Sequence, residues 1–182
     1  MRFYRPGEWL RQIDLERKFQ GSQFDMRSAL EELAVRETIE HIPNRGYRVA
    51  AVDPATYEAI RGTRVILEVG AVPGIIAGIH EATIQRLRSL AAEFSAAVLS
   101  GTRVEQSRIN GEFHHLTYAA YGYALLEDMV WSLRDRLREP YITVWSSHED
   151  LVASDLEHHE MVDPLTQRDT ERLTAPIRRH TA

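Results

Sequence analysis

Asp53-Pro54 divides this 182-residue chain into two kinds of sequence. An Asp followed by Pro is a strong helix start, because the carboxylate can cap free backbone N–H groups while the proline ring occupies the first helical position, where no N–H is needed. Before this point short apolar spans are punctuated by turn residues. After it nothing reads as strand, and apolar positions recur at helical spacing almost to the end.

In the first part, Leu10, Ile13, Leu15 and Phe19 give a rough helical stripe. Gln20-Gly21-Ser22 interrupts it, and Ser22 is placed to cap a second helix over residues 24–33, with Met26, Ala29, Leu30 and Leu33 expected on its inner face. Residues 38–42 and 47–50 flank Pro43-Asn44-Arg45-Gly46, which reads as a short hairpin with turn residues at its tip. Beyond Pro54 the pattern predicts helices over residues 54–79, 80–98, 104–121, 123–138, 141–166 and 169–180. Pro73-Gly74 is expected to break or kink the first of these and Pro164 the fifth, while Asp169 is expected to open the last. Helix, turn, helix, hairpin is the pattern of a winged helix-turn-helix, although a small α+β cap on a helical protein has the same outline. The expected fold class is mainly α, with an N-terminal unit over residues 1–52 and an all-helical bundle over residues 53–182.

The absence of cysteine removes disulfides and thiolate metal sites, and it fits a cytoplasmic protein. No apolar run approaches about 18 residues, so neither a membrane span nor secretion is expected. The net charge of −5 is uneven: residues 1–53 carry nine Lys/Arg against nine Asp/Glu, leaving all of it on the remainder. Charge alone therefore does not mark the first part as a nucleic-acid binder.

Six of the eight histidines follow residue 113. Asn110 and His114 are four apart, on one face of a helix, whereas Phe113 points elsewhere. His158 and His180 lie on two further predicted helices. Side chains converging from facing helices can build a metal site without cysteine, and imidazoles suit Zn²⁺ and similar ions. Spacing alone leaves open the alternative of exposed or core histidines. A hydrolase is a poor fit: Glu112 is two residues from Asn110 and faces away from that stripe. No nucleophile motif, glycine-rich phosphate loop or H-E-x-x-H is present.

Residues 5–49, RPGEWLRQIDLERKFQGSQFDMRSALEELAVRETIEHIPNRGYRV, resemble without a gap the DNA-binding domain of GntR-type transcription regulators. The matches are Pro6, Gly7, Leu10, Leu15, Ser22, Arg27, Ala29, Leu30, Leu33, Pro43, Asn44, Arg45, Gly46 and Val49. The resemblance implies that Ser22, Gln23, Arg27, Asn44, Arg45 and Gly46 face DNA, with Arg27 and Arg45 on phosphates. Where the family has SRTPVR, this chain has Ser22-Gln23-Phe24-Asp25-Met26-Arg27. Gln23 thus replaces a usual contact arginine, and because glutamine can read adenine through two hydrogen bonds, an altered operator is implied. On a helix, Arg27 could instead pair with Glu31. The family's first helix precedes the segment matching Pro6, so the resemblance implies a truncated first helix here or a native start upstream.

The segment from Tyr57 to His180 resembles the helical FCD domain of the FadR branch of that family. Arg64-Val65-Ile66-Leu67-Glu68 fits its R-x-x-L-E, and Asn110-Gly111-Glu112-Phe113-His114 fits its [D/N]-x-x-F-H. Glu157-His158 is followed by Asp169 and His180 at two successive intervals of eleven residues. The resemblance implies metal ligands at Asn110, His114, His158 and His180, with Zn²⁺ the first candidate ion and Ni²⁺ or Mn²⁺ the others. His115 and His159 would point elsewhere. Asn110 stands where the family most often has Asp, so the ligand set carries no negative charge and favours an anionic effector such as a small carboxylate. Arg64 is a candidate second anchor for it. As a whole the resemblance implies a homodimeric regulator of a palindromic DNA operator, controlled by a metal-assisted small organic acid.

Overall fold

The structure, a computed structural model, describes residues 4, 6–51, 53–137 and 147–181. The chain divides into two compact units: residues 1–57 with 132–144, and residues 58–131 with 145–182.

In the first unit, β1 (Trp9–Leu10) leads into α1 (Gln12–Phe19) and α2 (Gln23–Val35), followed by β2 (Ile39–Ile42) and β3 (Gly46–Val49). The sheet order is β1-β3-β2, antiparallel throughout, with Leu10 opposite Tyr47 and Ile39 opposite Val49. This is a winged helix-turn-helix. The hairpin is as expected from Pro43-Asn44-Arg45-Gly46: Asn44 (φ 62°) and Gly46 (φ 93°) take the left-handed conformations that the reversal requires. Arg136, near the end of α6 (Ala124–Leu137), pairs with Glu37 of this unit at 2.8 Å.

The α2 start is a complete capping box. Ser22 Oγ accepts from Asp25 N, and the Asp25 carboxylate accepts from Ser22 N. Two sequence expectations need correcting. The inner face of α2 is Met26, Leu30 and Ala34, each four residues from the next, while Ala29 and Leu33 are exposed. Ile13 and Phe19 of α1 are also exposed, and Leu15 alone of that stripe's helical residues is buried. A helix of eight residues has room to bury little more than one position against so small a core.

In the second unit, α3 (Pro54–Gly78), α4 (Glu81–Ser100), α5 (Arg103–Ala119), α7 (His148–Gln167) and α8 (Thr170–Thr181) follow the expected order, with the first part of α6 between α5 and α7. Asp53 caps α3 as expected, accepting from Ala55 N and Thr56 N at 3.0 and 3.1 Å. Asp169 does the same for α8 through Arg172 N. The fifth helix is described from His148, capped by Ser147; its expected start at 141 lies outside the described residues, as do all of 138–146.

Neither Pro73 nor Pro164 breaks its helix. Each removes one backbone hydrogen bond, but the neighbouring turns are held by burial: Ala71, Val72 and Ile75 are fully buried around Pro73, and Leu165 beside Pro164. The glycine after Pro73 has a packing role. A Cβ at Gly74 would overlap the Tyr121 ring, and one at Gly78 would overlap the Ala120 carbonyl oxygen. Arg168, in the left-handed conformation at the end of α7, donates to the carbonyls of Ile76 and Ile79 at the end of α3. The core joins Val72, Ile75, Leu87, Phe94, Phe113 and Leu165.

Candidate metal centre

The α5 start is fixed by a Thr102–Glu105 capping box, which sets the phase of the helix. In that phase Gln106, Asn110, His114 and Thr117 all turn inward and are buried. On α7, Ser154 and His158 turn inward likewise. The last turn of α8 adds His180, whose side chain is 6% exposed.

The three imidazoles meet. His114 Nε2 lies 3.4 Å from His158 Nε2 and 2.8 Å from His180 Nε2. Among the described residues this is the one group of three or more His, Asp or Glu side chains able to share an ion. Nitrogens bound at about 2.0–2.1 Å would be separated by ~3.4 Å in a tetrahedral shell and ~3.0 Å in an octahedral one, so one observed pair lies near the first value and the other near the second. Asn110 sits one turn before His114 on the same face. Its Oδ1 is buried and has no hydrogen-bond partner among the described residues. An uncompensated buried amide oxygen costs about 1–3 kcal/mol, which a cation would relieve. The residues present therefore fit a divalent ion.

The rings are braced. Phe94 meets the His158 ring at a centroid distance of 4.8 Å and Phe113 at 4.3 Å, so Phe113 is core, as expected, and also props a histidine. His114 lies parallel to Tyr118, with 13° between the ring planes. His180 Nδ1 is 2.8 Å from Glu157 Oε2.

The neighbouring residues sort as the sequence suggests. His115 turns out to Glu127, at 3.3 Å, and is largely exposed. His159 turns to Ser95 at 2.9 Å, beside Asp155. Glu112 faces Arg86 and Arg108, away from the centre, and Glu112 together with Glu93 raises the pKa of Arg86.

Arg64 pairs within its own helix. It is 5% exposed, and its Nε and Nη2 lie 2.9 and 2.8 Å from Glu68 Oε1. The other oxygen of Glu68, itself wholly buried, accepts from Tyr118 and Thr181 hydroxyls. Arg64 is thus matched by an internal carboxylate. The i, i+4 spacing of Arg64 and Glu68 was the available signal. Tyr118 and Thr181, far away in sequence, gave none.

In the first unit the six residues expected at DNA all lie on α2, its capping residue or the hairpin tip. Ser22, Gln23 and Arg27 are exposed or nearly so, but two are also engaged locally: Ser22 Oγ with Asp25 and Arg27 with Glu31 at 3.5 Å. Arg45 rests over the Trp9 ring at 5.3 Å. The hydrogen bonds from Ser22 hold the Asp25 carboxyl below the usual range, so an anion stands in the first turn of α2.

A family model described as the FCD domain matches residues 57–182. The chain belongs to that family. With its N-terminal winged helix it has the architecture of the GntR-type regulators. The solved structure of McbR/YncC from E. coli matches with a TM-score of 0.85 at 21% identity, covering 98% of this chain and 85% of that one. A GntR protein from Rhodococcus sp. RHA1 matches at 0.75 and 18% identity, over 98% of this chain and 85% of the other. Lar of Listeria monocytogenes, which controls expression of the agr system, matches at 0.66 and 16% identity, over 97% and 84%. No curated protein matches the chain. Among the described residues no helix is long and apolar enough to cross a membrane.

Proposed function

We propose that this FCD-family protein is a transcription regulator that binds a palindromic DNA operator as a homodimer and responds to a small carboxylate through a divalent ion in its helical unit. The observation that carries the ligand half is the convergence of His114, His158 and His180, with the unpartnered Asn110 Oδ1 one helical turn before His114. A resident ion there, Zn²⁺ first and Ni²⁺ or Mn²⁺ next, would supply Lewis acidity and a positive charge. The chain's own groups do the rest. His114, His158 and His180 offer neutral nitrogens, Asn110 an amide oxygen, and Phe94 and Phe113 keep water from His158. None of these ligands brings a negative charge, which favours an anion in an open position. Arg64 could reach such an anion only by releasing Glu68, so recognition rests on the centre itself.

The DNA half rests on α2 and the hairpin. Gln23 and Arg27 stand exposed on the first turns of α2, where base edges and phosphates would be met, and Arg45 stands at the hairpin tip. A rival reading, a metal- and ligand-binding helical protein whose DNA-binding segment has lapsed, is favoured by Asp25, a carboxylate in that same first turn.

Thermal-shift screening of the full chain with carboxylic acids, with and without a chelator, tests the ligand half. Stabilisation that requires both acid and metal supports it, and acid-independent melting in every condition overturns it. Footprinting at two salt concentrations tests the DNA half. A symmetric protected site with steep salt dependence is expected, whereas no binding even in low salt establishes the rival.

A further inference from the structure

The candidate centre lacks an anionic ligand, yet a carboxylate stands directly behind it. Glu157 precedes His158 on α7, so it is turned about 100° away from that ligand and toward α8. There its Oε2 lies 2.8 Å from His180 Nδ1, and its side chain is 19% exposed. We propose that Glu157 is the positioning residue of this centre: it holds His180 with Nε2 facing the site. The inference rests on the metal reading above.

An ionised carboxylate can only accept, so the proton in this contact belongs to Nδ1. A neutral His180 with its proton on Nδ1 carries its lone pair on Nε2, the atom 2.8 Å from His114 Nε2. The same hydrogen bond restrains rotation of the ring. That restraint matters more for His180 than for the other two histidines. His158 is clamped by Phe94 and Phe113 and His114 is stacked on Tyr118, whereas His180 stands on the last turn of its helix. A carboxylate behind a ligating imidazole also raises its basicity, and such partners carry about 10–100-fold in metal affinity.

The same two helices provide an internal control. Glu160, one turn after Glu157, pairs with Arg179 of α8, and both side chains are more than half exposed. That contact also ties α7 to α8 but touches no ligand. If Glu157 merely tied helices together, the two glutamates would behave alike.

The test is competition titration of Zn²⁺ against a chromophoric chelator, together with the visible spectrum of the Co²⁺ form, on full-length wild type, E157A, E157Q and E160A. Melting of each metal-free protein is recorded alongside. The expected result is a Zn²⁺ affinity about 10–100-fold weaker for E157A and an altered Co²⁺ spectrum. E157Q should recover part of the affinity, because its amide oxygen still accepts from Nδ1. E160A should bind as wild type. The proposal is overturned if E157A retains wild-type affinity, or if E157A and E160A lose affinity and metal-free stability together. If wild type takes up neither ion, the metal reading fails and takes this inference with it.

Discussion

The polar side chains that bear on function are placed differently in the two units. The helical unit buries them: Arg64, Glu68, Gln106, Asn110, His114 and His158 are each at most 5% exposed. In the winged unit the residues expected at DNA stay at the surface, where Gln23, Arg27 and Arg45 border solvent. Burying a polar group without a partner is expensive, so each buried one has to be explained by something it meets. Glu68 is explained by donors from Arg64, Tyr118 and Thr181, whereas Asn110 Oδ1 has no hydrogen-bond partner among the described residues. An exposed arginine carries no such penalty, and a surface pair such as Arg27–Glu31 is worth little either way.

The contrast is most sharply tested at Arg64. Arg64→Ala should destabilise the protein by about 3–5 kcal/mol in chemical denaturation, because it strands a fully buried carboxylate. If Arg64 were instead a spare effector anchor, stability would hold and only acid binding would fall. A comparable effect should come from the ion. Zn²⁺ at about a thousand times its Kd should raise the unfolding free energy by ~4 kcal/mol, and His158→Ala should abolish that increment. A metal-independent denaturation midpoint in wild type would remove the distinction drawn for the helical unit.

Smaller effects are expected from the exposed unit. Arg27→Ala should weaken operator binding about evenly across sequences and reduce the salt slope by roughly one, as measured by titration at several salt concentrations. Unchanged affinity would leave Arg27 as the partner of Glu31 and nothing more. Asp25→Asn should tighten DNA binding by removing an anion from the first turn of α2, at the expense of part of the Ser22 cap.

The smallest effect is on pH. Hydrogen bonds at helix starts depress the carboxyl pKa values of Asp25, Asp53 and Glu105, through Ser22, Thr56 and Thr102 respectively. A group depressed in the folded state contributes stability above its ordinary range and loses it as pH falls through the lowered value. Melting followed by circular dichroism should be flat around neutrality on this account and decline only below the usual carboxylate range. Since Asp25 belongs to one unit and Glu105 to the other, this decline should not separate them.

Much of the fold was legible because its punctuation is chemical. Asp53-Pro54, the Ser22 cap and Pro-Asn-Arg-Gly each require a particular backbone, and each has it. The two intervals of eleven residues from His158 through Asp169 to His180 were equally legible, since Asp169 opens the helix that carries His180 about three turns on. What stayed hidden depended on length or distance. β1 has two residues, too few to show a period. The exposure of Ile13, Phe19 and Leu33 reflects how little core the first unit has, which periodicity cannot report. The hydroxyls of Tyr118 and Thr181 meet on Glu68 only after α3, α5 and α8 have packed. Pro73 and Pro164 were read as breaks or kinks, and neither ends its helix, because local rules take no account of the burial that holds the helix on either side.

One of the prolines bears on time rather than on affinity. Pro176 lies inside α8, four residues before His180, and has no N–H to give to the carbonyl of Arg172. The turn carrying His180 is thus joined to the rest of its helix by one fewer rung. It is fastened sideways instead, by Glu157 at one residue and by Glu68 at the next. A centre whose other ligands are set in the middle of α5 and α7 would then exchange its occupant at the rate at which this final turn opens. Its residence time would be a property of the tail of α8, adjustable without touching a ligand.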